Sequence, residues 1–221
     1  MLNGIFTIGQ QTRVWLSLSL LARAGVLGGT RAEEGREMIY IEFRPVSPNI
    51  KPGSFEASVR KLWRSGDRYL RIEEALDPQR RIHGVIIVNE PDSWMWNRSD
   101  NTALHIVDRG PTFIAHYPIF QGENSLQALE FGKEKEFFAA NSSTPLPDQT
   151  IDNAEYAVQS LRLDDSTLTL YLQKSNGNPF AVAINNPRRA YSIRFEKYDA
   201  HVQFDSSLFT PPAGANVTEA K

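Results

Sequence analysis

From residue 37 onward, apolar and polar positions alternate with a period of two, and glycine, proline, asparagine and aspartate interrupt the alternation at short intervals. Successive strand side chains point to opposite faces of a sheet, so this pattern predicts antiparallel strands with one face buried. "IYIEF" sets Ile39, Ile41 and Phe43 on one face. Pro45, Pro48, Pro52 and Gly53 then force a loop. Alternation resumes over residues 55–63, and the reversal around Gly66 into "RYLRIEE" predicts a hairpin with Leu70 and Ile72 on one side. "VIIV" at 85–88 suits a strand covered on both faces. "DSWMWN" follows, projecting Trp94 and Trp96 together, and a polar turn at 98–101 leads into "TALHIVD". In the second half, Leu168, Leu170 and Leu172 alternate with polar residues, and Asn176-Gly177 is a hairpin signal. Three more runs follow, with Phe180, Val182 and Ile184, then Tyr191, Ile193 and Phe195, then Val202 and Phe204 on single faces. The spacing predicts about ten strands.

Residues 124–140 break this rhythm. Asn124 with Gln127 makes a capping-box-like start, and Leu126 with Leu129 is a helical pair, so one or two short amphipathic helices carrying Phe137 and Phe138 are expected to lie on the apolar face of the sheet. The following "NSSTPLPDQT" reads as a loop.

Composition narrows the functional classes. With 221 residues, 41% hydrophobic and 10% aromatic, the chain is expected to form one compact domain. The 24 basic and 26 acidic residues are interspersed, which gives no electrostatic footprint for nucleic acid. Absence of cysteine removes disulfides, thiolate metal sites and cysteine nucleophiles. Near the N-terminus the charge-free apolar run 14–22 has the length of a secretory core and is too short to span a bilayer. Small residues at Thr30 and Ala32 place the expected cleavage after Ala32, so residues 1–32 read as a signal peptide and 33–221 as the mature domain. The alternative is an ordinary N-terminal helix behind a misassigned start. Cleavage removes three arginines and no acid, leaving a mildly acidic protein.

Catalytic signals are poor. The chain has no nucleophile elbow, phosphate loop, dinucleotide fingerprint or His-Glu-x-x-His motif. His83, His105, His116 and His201 are scattered, and the adjacent acids of Glu73-Glu74 and Asp164-Asp165 are not spaced for acid/base work. No catalytic residue, metal ligand or cofactor is assigned, and binding rather than catalysis is expected.

Three ordered strings carry a family resemblance. "KLWRSGDRYLRIEE", "GVIIVNEPDSWMWNRSDNTALHIVD" and "FDSSLFTPPAGANV" resemble the first hairpin, the next meander and the closing pattern of the LolA-like superfamily, the periplasmic carriers of lipoproteins and their relatives, over about residues 55–217. The resemblance implies one curved antiparallel sheet of about 11 strands, an unclosed half-barrel, with short helices across its concave side. It also implies a periplasmic protein that holds lipid or lipoprotein acyl chains between sheet and helices, with only peripheral or transient membrane contact. On that reading the candidate cavity residues are Trp63, Leu70, Ile72, Trp94, Trp96, Phe137, Phe138, Leu168, Leu170, Leu172, Phe180, Val182, Ile184, Ile193 and Phe195. Two departures stand beside it: the proline-rich loop at 45–53 has no match, and no arginine stands out as the carriers' lid tether. The alternative function is an envelope sensor that uses the same fold to contact a protein partner.

Overall fold

A computed structural model describes residues 37–107, 113, 115, 117, 126, 128–187 and 189–220. The expected signal peptide, the Asn124 and Gln127 start signal and His116 lie outside the described residues. Twelve strands among the described residues form one sheet: β1 (Glu37–Val46), β2 (Arg60–Ser65), β3 (Tyr69–Glu73), β4 (Gly84–Asn89), β5 (Asp92–Asn97), β6 (Thr102–Val107), β7 (Thr144–Ile151), β8 (Ala154–Leu163), β9 (Ser166–Gln173), β10 (Pro179–Asn186), β11 (Arg189–Gln203) and β12 (Asn216–Glu219). Helix α1 (Glu134–Ala140) precedes β7.

The spatial order is β12-β6-β5-β4-β3-β2-β1-β11-β10-β9-β8-β7. Two meanders, β1–β6 and β7–β11, therefore meet where the first strand pairs with the eleventh. The sheet is an unclosed half-barrel. Its long central ladder carries register shifts between Met38 and Tyr40 and between Glu42 and Phe43, irregularities that bend and twist a sheet locally. Every strand pairs antiparallel except β12, which lies parallel to β6. The sheet is thus mixed, where the family resemblance implied a purely antiparallel one.

Turn chemistry explains the meander. Gly66, at φ +57°, closes the β2–β3 hairpin, and Gly177, at φ +72°, serves the β9–β10 turn. Two expectations need correction. "TPLPDQTI" forms β7 rather than a loop, because an edge strand needs only one side of its backbone paired and so accommodates Pro145 and Pro147. The last two apolar runs, expected as separate strands, are one 15-residue strand, β11.

The order of strands dictates how the faces are covered. β6 and β7 lie near opposite ends of the sheet, and the described residues between them cross one face. Their described apolar members Phe113, Tyr117, Leu126, Leu129, Phe131, Phe137 and Phe138 are buried against it. Residues 204–215 cross the other face to bring β12 beside β6, and there Phe209 is buried with Tyr69 and Met38.

Candidate functional site

The ladders fix which side chains share a face. Direct pairing runs Ile41, Leu62, Ile72, Ile86, Met95, Leu104 across β1 to β6, and Leu70, Val88, Ser93, Ile106 across β3 to β6. On the second meander, Leu168 pairs with Ile184 and Leu170 with Val182, which pairs with Ile193. Phe195 pairs with Phe43. Of these, Ile41, Phe43, Leu62, Leu70, Ile72, Val88, Leu168, Leu170, Val182, Ile184, Ile193 and Phe195 belong with Phe137 and Phe138 to one apolar cluster on the inner face, flanked by Ile86 and Leu172. Eleven of the expected cavity residues are therefore brought together.

Four are not. Trp94 and Trp96 alternate with Met95, so they project from the outer face, where Trp94 packs with Val85 and Ile87 and Trp96 flanks them. Trp94 stacks on His105 with ring centroids 5.1 Å apart, and Trp96 Nε1 donates to Asn101 Oδ1 at 3.1 Å. Trp63 is also outside, tilted against Tyr40 at 5.0 Å. Phe180 was grouped with Val182 by simple alternation, but a register shift between Pro179 and Ala181 breaks the parity there. Its ring instead packs on Tyr156 at 4.3 Å beneath the Arg194 guanidinium.

His105 bridges Asp92 and Glu219 at 2.8 Å each and so ties β12 to the sheet. Burial works against its charged form, yet the bonds and charges of these two carboxylates raise its pKa above the ordinary value. Among the described residues no group of three or more metal-type ligands is placed to hold an ion.

Over β1–β3 and β8–β11 the crossing segment fills the inner face with its own side chains. Phe131 packs on Phe43 at 4.3 Å and stacks on Tyr117 at 4.1 Å. Phe138 is fully buried. Two polar groups fasten this plug. Arg64, buried on the inner face of β2, donates to Phe131 O at 2.7 Å, Glu130 Oε2 at 2.9 Å, Asp67 Oδ1 at 2.8 Å and Gly66 O at 3.0 Å. Its guanidinium also lies 5.3 Å from the centre of the Phe113 ring. Glu134, at the start of α1, accepts from Tyr117 Oη at 2.7 Å, Tyr198 Oη at 3.1 Å and Gly132 N at 3.0 Å. Burial raises the Glu134 pKa, and those three donors oppose the rise without cancelling it. Arg64 fastens the plug through contacts that no feature of the sequence singled out.

The β3–β6 end of the inner face is different. Met95 is 38% exposed although its pairing partners Ile86 and Leu104 face the interior side, so the apolar surface there is not closed over. A cavity of about 350 Å³ occupies the place. Among the described residues its floor is Ile72, Ile86, Met95 and Leu104, its sides are Glu74, Ile82, Gly84, Asn97, Thr102 and Thr218, and Val85, Trp96 and Ala103 lie between. Ile82 is brought in by the bridge between Asp77 and Ile82, which folds the β3–β4 connection back on itself. The volume falls at the low end of the roughly 300–1,000 Å³ usual for small-molecule sites.

Comparison with solved structures then gives the fold a context. An uncharacterized conserved protein from Thermus thermophilus superposes with a TM-score of 0.51 at 9% identity, over 85% of this chain and 93% of that one. That likeness shows a shared fold. The neighbours include a LolA superfamily member. It is NE2245 from Nitrosomonas europaea, with TM-score 0.31, 11% identity, and 82% and 92% of the two chains covered. MucB in the Pseudomonas aeruginosa MucA/MucB complex gives TM-score 0.44 and 11% identity, and the match spans 84% of this chain but 59% of that chain. No protein-family model and no curated protein matches the sequence.

Proposed function

We propose that this protein is an exported, non-enzymatic binding protein, a single domain released from its signal peptide into the periplasm, which holds a lipid or lipoprotein acyl chain against the inner face of its half-barrel. The cavity floored by Ile72, Ile86, Met95 and Leu104 carries the reading. Its lining reaches from β3 to β12, and four strand gaps of about 4.8 Å make a trough of roughly 19 Å. An acyl chain of roughly 12 methylenes laid there would gain on the order of 10 kcal/mol before costs, at about 0.8 kcal/mol each. The plugged half of the face supplies the competing state that release requires: the crossing segment satisfies the apolar surface when no chain is present, and a longer ligand would have to displace Phe137 and Phe138.

Native mass spectrometry of protein purified gently from an envelope fraction should show a co-purifying acyl lipid, and Leu104→Arg, which puts a charge on the cavity floor, should abolish it. A persistent bare-chain mass together with a cross-linked protein partner would favour the sensor instead.

A further inference from the structure

The cavity is apolar on its floor but carries at its edge a carboxylate with only one of its two oxygens engaged. Glu74 continues β3 on the same face as Ile72, and its Oε1 accepts from Arg60 Nε at 3.2 Å. Arg60 is 2% exposed, sends Nη1 to the carbonyls of Glu56 and Ser58, and is outside the lining. The other oxygen, Oε2, leans over Gly84, where an added Cβ would stand 3.0 Å from it. Among the described residues no donor bonds Oε2. Of the other polar lining residues, Asn97 Oδ1 accepts from the backbone of His83 and Ser99, Thr102 Oγ1 donates to Asp100, and Thr218 lies at the far, β12 end. Nor is any lysine, arginine or histidine among the described lining residues.

An amphiphile laid on the floor thus meets, at the Glu74 end, an open carboxylate oxygen, with the paired cation, Arg60, held on the other oxygen and outside the lining. An anionic head brought there meets Oε2 before it meets Arg60, which is already paired with Oε1, whereas an N–H or O–H donor bonds Oε2 directly. On the reading that this cavity is the binding site, we infer that it selects acyl amphiphiles whose head offers hydrogen-bond donors and bears no negative charge. Glu74 is the selecting residue, and Gly84 is the residue that leaves room for it.

The test is a pair of probes of equal chain length, monolauroylglycerol and laurate, titrated calorimetrically against the mature protein at pH 7.5. The glyceride should bind about tenfold or more tighter than laurate, a difference set by one like-charge contact against one hydrogen bond. Glu74→Gln keeps an oxygen for Arg60 while removing the charge, and should shrink the ratio to about threefold or reverse it. Equal or tighter binding of laurate to the unmodified protein overturns the selectivity and leaves the cavity as the binding site. Binding of neither probe overturns both. A full preference retained by folded Glu74→Gln removes the role of Glu74, and the comparison on the unmodified protein stands even where that variant fails to fold.

Discussion

Replacing Arg64 by methionine keeps most of the side chain's length and removes its five donors. Four contacts go with them: Phe131 O, Glu130, Asp67 and Gly66 O, all within 2.7–3.0 Å. They are not equal. The Asp67 side chain is 45% exposed, so its share falls in the range of about 0–1 kcal/mol typical of surface pairs. Glu130 is 12% exposed and keeps only longer contacts, at 3.4 Å to Lys133 Nζ and Ala115 N, and Phe131 O lies inside the plug, so both lose their close donor. Breaking a buried pair by removing one partner costs about 3–5 kcal/mol, and that range is expected here. The loss should be concentrated in residues 129–140, because the strand that bears Arg64 stays paired on both sides. Urea unfolding should show a midpoint lower by about 2 M, given a slope of about 2 kcal/mol per molar. Hydrogen exchange at the Phe131 amide, which donates to Ala115 O, should accelerate at least about a hundredfold, since 1.4 kcal/mol is a factor of ten. Arg64→Lys should recover little, because an ammonium cannot satisfy four acceptors spread over a guanidinium fork. A loss below about 1 kcal/mol, with unchanged exchange at Phe131, would refute the idea that Arg64 holds the plug down.

Three further outcomes follow from the same geometry. The folded pKa of Glu134 lies above the ordinary carboxylate value, so the stability it contributes is complete below about 4.5 and is lost as pH rises through the raised value. Amides of α1 should therefore exchange faster at pH 7.5 than at pH 4.5 after correction for intrinsic rates, Glu134→Gln should flatten that dependence, and an opposite trend would contradict the burial argument. Phe138→Ala should cost about 3–5 kcal/mol in urea unfolding because the ring is fully buried in the inner core, and a loss under about 1 kcal/mol would mean the plug is not packed. Acyl titration should blue-shift emission from an indole introduced by Met95→Trp while leaving that of Trp94, which is outside the lining, unchanged; a shift in the unmodified protein that disappears in Trp94→Phe would put the ligand on the wrong face.

The strands themselves were legible because alternation is a local property, and β3 shows why the faces were only partly so. Leu70 and Ile72 alternate there with Arg71, Glu73 and Tyr69, and the turn at 66–68 carries that parity to Leu62 on β2. The same bookkeeping across the two-residue Glu90-Pro91 turn, where Asn89 pairs with Asp92, sets Met95 beside Ile86 and leaves Trp94 beside Ile87. Side-chain size pointed the other way, since two indoles look like the wall of a cavity and a methionine between them does not. β4 could not arbitrate: Val85 and Ile87 on one face are as apolar as Ile86 and Val88 on the other. Phe180 was lost to a bulge, which alternation cannot see. Arg64 had no local signature because its decisive partners, Glu130 and Phe131, lie 66 and 67 residues away.

β5 presents apolar side chains on both faces for two different reasons, Trp94 and Trp96 on one and Met95 on the other. On the outer face the tryptophans are largely satisfied by neighbours: Trp94 is 8% exposed beneath His105, and the Arg98 guanidinium lies 5.1 Å from the centre of the Trp96 ring. Burial of that kind already contributes to folding and leaves little to offer a ligand. On the inner face Met95 stays 38% exposed beside a cavity, with an unbranched side chain that adapts to whatever packs on it. The surface open to the proposed ligand is therefore the part of the apolar pattern that folding leaves unsatisfied. In this half-barrel it lies at the β3–β6 end of the inner face, around the least conspicuous residue of "DSWMWN".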